Sequence, residues 1–433
     1  MKINKKFLML ILIHAVGMFG SVISIRVGTE NIYSGILYIF SIIPLVICMI
    51  EDNKLFTPLT GAVIFDISFG IYNMHLVINE ELMMFNSSMV LILCIIIWEF
   101  IAIISFGYQN KKEISTTIHV KEYSIKVLVS FMFVVAVLAM LLEWINAGGI
   151  PILRSDQETF RFTVRYNSLT HILAISNKII VAIIGGLLVC KDKINIKKDF
   201  WLIALMIISE LMMVGTAMRG EMLFGPAVVF IVFGIKKKIP KKYYVIAGII
   251  AIIVIGLVPY IRMNKLYGVA YLKDLKKISA YKNIAIFTPL IQTFSSNFSI
   301  LAKDFLIFPT IEPFGLGNYS ILPAIPVVDL GKNLMNLQNS IFNKGFYGGL
   351  TATFLATWYA DFGYIGMIIE TIIMSIWINF VYKKYVTNQQ FFTLLWFSYT
   401  FYSSLWLVYN NTFDIIYIIY CLVIWALSKL KIQ

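Results

Sequence analysis

The sequence predicts an all-α, polytopic integral membrane protein with about twelve crossings and one large segment outside the bilayer. Three observations carry that prediction. Hydrophobic residues make up 59% of the 433 positions and charged ones 14%, too little polar surface to coat a soluble globule of this length. Apolar runs of about 20 residues, enough to cross roughly 30 Å of hydrocarbon, recur from end to end. They lack strand-like alternation, which argues against a membrane barrel and leaves helices to satisfy the backbone in lipid.

The expected crossings, in order, are residues 7–25, 33–50, 56–77, 89–108, 124–145, 171–190, 199–217, 222–235, 243–261, 362–382, 390–408 and 412–428. The first follows Lys5 and Lys6, and no small-residue cleavage site comes after it, so it reads as a retained helix rather than a secretion signal. The run from Phe346 to Tyr382 exceeds one crossing and is broken at Asp361-Phe362-Gly363. This makes 348–360 a cap or membrane-dipping helix and sets Asp361 at the start of the next span, where the helix dipole favours a carboxylate.

Lysine-rich connections assign the sides. Both termini, Lys54, Lys111, Lys112, Lys121, Lys126, Lys191, Lys193, Lys197, Lys198, the KKKIPKK run, Lys383, Lys384, Lys429 and Lys431 fall on the cytoplasmic face. The net charge of +13 is therefore explained by membrane orientation, and no nucleic-acid partner is expected. Cys48, Cys94, Cys190 and Cys421 lie in or beside apolar runs and read as packing residues. No metal-ligand cluster, phosphate-binding P-loop or nucleophile elbow is present, so neither cofactor nor metal is expected.

The other face carries a loop at 146–170, a tight turn at MRGE, and a segment from about 262 to 361. All six arginines, Arg26, Arg154, Arg161, Arg165, Arg219 and Arg262, fall there, against thirty lysines in the chain. Arginine costs as much as lysine to translocate. Its paired N–H donors, however, fit a phosphate or carboxylate edge and never lose their charge. The segregation points to an anionic ligand at the outer surface, while lipid headgroups offer the plainer destination for any single interfacial arginine.

In the long outer segment, KLYGVAYLKDLKKISAYK sets Leu272, Leu275 and Ile278 on one helical stripe and Lys273, Lys276 and Lys277 largely on another. That is the pattern of a helix lying in the interface, suited to anchoring or to steering an anionic substrate. Pro289 and the serines of FTPLIQTFSSNFSILA argue against a further full crossing.

Three pieces taken together, GGIPILRSDQETFRF, GTAMRGEML and FLATWYADFGYIGMIIE, resemble in order and spacing the bacterial oligosaccharide repeat-unit polymerases, the Wzy-type enzymes of O-antigen and capsule assembly. The family's turn is expected to read Gly-Ser-Arg-Gly; here Met218 precedes Arg219 and Gly220, which removes a hydroxyl but keeps the arginine. The resemblance implies a GT-C-like glycosyltransferase in the bacterial plasma membrane. It would transfer a growing glycan from undecaprenyl diphosphate to an incoming lipid-linked unit, without metal. The pathway's flippase and chain-length regulator are the implied partners.

On that reading Arg154, Arg161, Arg165 and above all Arg219 grip the diphosphate. Arg262, Lys273, Lys276 and Lys277 assist substrate binding. Asp156, Glu158, Glu221 and Asp361 are the candidate bases, with His171 behind them.

Two other classes compete. A flippase or secondary carrier would use Asp66, Glu99, Lys178, Glu210 and Glu370 as an intramembrane path, although no half-to-half repeat is visible and the loops are lopsided. A ligase-like transferase would, by resemblance, need a histidine in the large outer loop. The four histidines are His14, His75, His119 and His171, all outside it.

Overall fold

The computed structural model describes residues 5–27, 31–78, 81–108, 122–154, 164, 168–191, 193–236, 246, 248–249, 253, 269–322, 334–342, 352–388, 390–409 and 415–429. These residues are helical, apart from turns and one isolated bridge between Val77 and Ser279. The helices are α1 (Lys5–Arg26), α2 (Asn31–Glu51), α3 (Pro58–Asn73), α4 (Phe85–Ile104), α5 (Glu122–Ala147), α6 (Ser168–Ile175), α7 (Asn177–Cys190), α8 (Ile196–Gly215), α9 (Arg219–Lys236), α10 (Val269–Ile278), α11 (Thr288–Ile307), α12 (Leu334–Phe342), α13 (Leu355–Asn388), α14 (Phe391–Trp406) and α15 (Ile415–Lys429).

Among the described residues seven segments are long and apolar enough to cross a membrane: Lys5–Arg26, Tyr33–Glu51, Phe85–Ile104, Ile125–Ala147, Leu169–Cys190, Lys282–Ile307 and Leu355–Asn388. The expected crossing at 243–261 lies largely outside the described residues. The chain divides into two compact units. The first comprises Met1–Gln109, Ile239–Tyr382 and Ser403–Ile415; the second comprises Asn110–Lys238, Lys383–Tyr402 and Ile416–Gln433.

In the first unit α1 packs on α2 and α4, and α3 packs on α2, α4 and α11. Lipid tails are as apolar as these side chains, so close packing rather than water exclusion holds such helices together. The contact is largely aromatic: Phe65 meets Phe298 and Phe354 at ring separations of 5.1 and 5.4 Å, and Trp98 meets Phe354 at 5.6 Å.

The two ends of this unit can be told apart by their basic residues. At one, Lys6 lies 3.4 Å from Asp52 and Lys54 sits over the Phe106 ring. At the other, Arg26 lies over Phe85. Helix α13 runs parallel to α4, with Ser87 hydrogen-bonded to Tyr364 at 2.8 Å near one end and the Asn379 amide donating to the Ile101 carbonyl near the other. Lys383 and Lys384 lie within α13, one turn beyond Asn379.

Length and composition qualify 282–307 as a crossing, against the sequence expectation. The polar side chains that argued otherwise are satisfied within the helix: Thr293 donates to the Pro289 carbonyl and Ser296 to that of Gln292, so neither hydroxyl opposes lipid burial. Pro289 sits in the first turn, where no helical N–H is lost. The chain nevertheless enters and leaves from one end of the unit. Before α11, Ile278 and Ala280 pair with Ile78 and Leu76 just beyond α3. After it, the Phe308 carbonyl accepts from Tyr359 at 3.0 Å, beside Tyr364. The segment thus makes no net crossing between α10 and α13.

Helix α10 shows the expected stripe, with Leu275 buried and Lys273, Lys276 and Lys277 exposed. The break expected at 361–363 is a kink inside α13, where Gly363 adopts φ 63° and ψ −151°, a region essentially closed to residues with a Cβ.

Candidate functional site

The second unit holds the arginine loop and the arginine turn, and its geometry is best built from the helix ends. Helix α5 stops because Gly148 and Gly149 take positive φ and close a Schellman cap: Gly148 N–H donates to the Ile145 carbonyl and Gly149 N–H to that of Trp144. A 3₁₀ turn over Pro151–Leu153 follows, and Arg154 emerges extended and exposed.

Helix α8 ends in a similarly tight reversal. Thr216 donates to the Met213 carbonyl and accepts from Met218 N–H, Ala217 takes φ 58°, and Arg219 opens α9. The Thr216 hydroxyl thus braces the turn.

These two helix ends touch. A Cβ on Gly215 would lie 2.6 Å from the Trp144 indole and 3.5 Å from Ile150, so the bare backbone there lets α8 close on α5. Val164 is buried against the same patch with Met140, Trp144, Ala174 and Met213. Val164, which stands between Arg161 and Arg165 in the chain, is thus held beside the end of α5.

Helices α7 and α9 then set the register. Gly185 leaves room for Val229, whose Cγ2 would lie 2.2 Å from an added Cβ, and Gly225 leaves room for Val181 at 2.5 Å. One turn nearer the arginines, Lys178 Nζ lies 2.6 Å from Glu221 Oε2 and 5.2 Å from the Phe224 ring centre. Positions 178, 181 and 185 thus match 221, 225 and 229, so the two helices run parallel and start at one end.

Lysines occupy the opposite end. Lys191 pairs with Asp199 at 2.5 Å, and Trp201 donates to Ser130 at 3.2 Å, tying the starts of α5 and α8 together.

A small cavity opens among Glu143, Trp144, Pro151, Val164, His171 and Met218. Buried Glu143 approaches His171 Nδ1 at 3.2 Å with both oxygens. A proton held at Nδ1 by that carboxylate leaves Nε2 as the lone-pair atom. Nothing in the sequence selects Glu143, because its partner lies 28 positions away.

Of the site residues expected from sequence, the structure gathers Arg154, Arg219, Glu221 and His171 at one end of this unit. Arg161, Arg165, Asp156, Glu158 and Arg262 lie outside the described residues. Lys273, Lys276 and Lys277 belong to the first unit, with Lys277 3.6 Å from Asp274.

Asp361, a base candidate, is fully buried there and accepts from the N–H groups of Tyr319 and Ser320 and from the Ser320 hydroxyl. It therefore caps a neighbouring turn instead of the start of the next span, with both oxygens buried and engaged there. Burial, reinforced by Glu312 and Asp361, raises the Tyr319 phenol above its ordinary pKa, which keeps it protonated and neutral at physiological pH.

The buried charges assigned to a carrier path have these neighbours within each unit. Lys178 pairs with Glu221, Glu210 approaches Gly225, and Asp66 and Glu99 meet each other beside His14 in the first unit.

Comparisons with protein-family models, with curated proteins and with solved structures find no match. Fold and site together define a helical membrane protein whose second unit carries its described arginines at one end and a lysine belt at the other.

Proposed function

We propose that the chain is a bacterial plasma-membrane polymerase of undecaprenyl-diphosphate-linked oligosaccharide repeat units, with about twelve crossings, both termini cytoplasmic and the arginine end outside. The observation that supports this reading is the parallel start of α7 and α9 together with the contact of Gly215 on Trp144 and Ile150, which brings the described stretch ending at Arg154 and the turn at Arg219 to a common end. A lipid diphosphate held there develops charge as it leaves, and preorganised guanidinium groups stabilise that charge more than the ground state.

In the proposed step an acceptor hydroxyl oxygen bonds to the anomeric carbon of the donor chain. The carbon–oxygen bond to the diphosphate breaks, undecaprenyl diphosphate departs, and the hydroxyl proton passes to a base. Glu221 is held by Lys178 and Asp361 by its turn, whereas His171 is oriented by Glu143 and its Nε2 has no hydrogen-bond partner among the described residues. Of the described candidates, His171 is therefore the base in this reading. His171→Ala is expected to lower transfer by about 100-fold or more, measured as polymer formed by purified chain; an undiminished rate excludes the assignment.

The experiment that tests the class is deletion of the gene. Single lipid-linked repeat units should still reach the outer leaflet and no polymer should form. Accumulation on the inner leaflet would instead identify a flippase, whose buried ion path would then have to be rebuilt around Asp66 and Glu99. Chelator added to the purified reaction is expected to leave the rate unchanged, since arginine supplies the positive charge.

A further inference from the structure

The first unit contains a cluster that the arginine chemistry does not use. Four helices each contribute to it: His14 from α1, Tyr38 and Ser41 from α2, Asp66 from α3 and Glu99 from α4, with His14, Asp66 and Glu99 all fully buried. One ligand atom from each of those three lies within 4.8 Å of the other two.

Hydrogen-bond bookkeeping fixes how the groups face. The Ser41 hydroxyl donates to the Tyr38 carbonyl at 2.7 Å, so at 2.6 Å from His14 Nδ1 it accepts a proton from that nitrogen. A neutral imidazole so held turns the lone pair of Nε2 toward Asp66 Oδ2, 2.6 Å away. The Tyr38 hydroxyl donates to the other Asp66 oxygen. Both oxygens of Glu99 are buried without a hydrogen-bond partner among the described residues.

The packing keeps this arrangement in place. A Cβ on Gly17, one turn beyond His14, would strike Ser41 Oγ at 2.3 Å, and one on Gly70, one turn beyond Asp66, would strike the Tyr38 ring at 2.6 Å.

Two carboxylates and an inward lone pair, all fully buried, call for positive charge. A proton on His14 Nε2 would answer Asp66 but leave the Glu99 carboxylate without a partner among the described residues, and protonating Glu99 leaves its hydroxyl with no acceptor among them. One divalent ion neutralises both carboxylates and engages all three lone pairs. A nitrogen and two carboxylate oxygens suit zinc or its transition-metal neighbours. The supporting bonds, Nδ1–H to Ser41 and Tyr38 O–H to Asp66, are those that orient metal-bound imidazoles and carboxylates.

We propose that His14, Asp66 and Glu99 bind one divalent transition-metal ion, with zinc the best match, and that this ion ties α1, α3 and α4 together. Its ligands are wholly buried, which keeps it beyond the reach of a chelator on the time scale of a transfer assay.

The test is metal content, which does not depend on whether the chain is a polymerase. Full-length chain, purified in detergent through a histidine-free tag and equilibrated with excess Zn²⁺, then freed of loose ion, should hold about one zinc per chain by mass spectrometry. Glu99→Gln and His14→Gln should each fall below a tenth of that. Tyr38→Phe retains all three ligands and should bind zinc about 10- to 100-fold more weakly in competition with a chromogenic chelator. If the first two variants do not fold, as judged by size exclusion, Tyr38→Phe decides alone. Wild-type chain without stoichiometric zinc, retention of the ion by folded Glu99→Gln and His14→Gln, or unchanged affinity in Tyr38→Phe each overturn the site.

Discussion

Arg219→Lys is expected to abolish polymer while single repeat units continue to appear at the outer surface. The exchange conserves charge and removes the paired N–H fork, so it isolates what arginine does that lysine does not. Loss of one preorganised donor set at a developing oxyanion costs about 10²- to 10³-fold in rate, and a chain built by repeated transfer compounds that loss at every step. Arg161→Lys should behave alike. The readout is the ladder of polymer lengths on a gel, with membrane levels of the variant matched to wild type. Long polymer in both variants removes the diphosphate-binding assignment.

The second large effect is expected at Asp361, and on stability rather than chemistry. Its buried carboxylate accepts two backbone N–H groups and one hydroxyl from residues 319 and 320. Asp361→Ala strands those donors at about 1–3 kcal/mol each. It also frees the turn that packs Tyr319 against Phe308 at the head of α13. The variant should express poorly, and its midpoint of thermal unfolding in detergent should drop by several degrees or more. Asp361→Asn keeps one acceptor and should fall in between, with transfer measured well below its midpoint close to that of wild type. A normal midpoint combined with abolished transfer would mark Asp361 as a base after all.

Much of the fold was legible because long apolar runs leave few alternatives. Helices α1 to α5 fall within a few residues of the expected spans. The break near Asp361 was visible because glycine is the residue that tolerates such a turn.

The segment 282–307 was harder. Counting serines and threonines as polar hides the fact that their hydroxyls bond back to carbonyls four residues earlier. Conversely, length alone makes the segment look like a crossing, and the absence of net passage emerges from what its two ends touch.

The site was legible to the extent that residue type carries chemistry. Six arginines set apart from thirty lysines point to anionic ligands on one face; in the second unit Arg154 and Arg219 lie at the end opposite Lys191, whereas in the first the lysines of α10 share the end of Arg26. Pairing was not legible. Lys178 reads from the sequence as one of several intramembrane charges, and the α7–α9 register brings it to Glu221. Glu143 with His171, and His14 with Asp66 and Glu99, meet across helices at separations no local spacing encodes.

The central claim is that the loop and the turn present their arginines together on the outer face. In a background lacking Cys48, Cys94, Cys190 and Cys421, single cysteines at exposed positions, R154C and G220C, can be probed with an impermeant thiol reagent on intact cells. K193C marks the lysine end. The account predicts that R154C and G220C react from outside and that K193C reacts after permeabilisation alone. Finding R154C and G220C on opposite sides of the membrane, or both accessible from the cytoplasm alone, would contradict it.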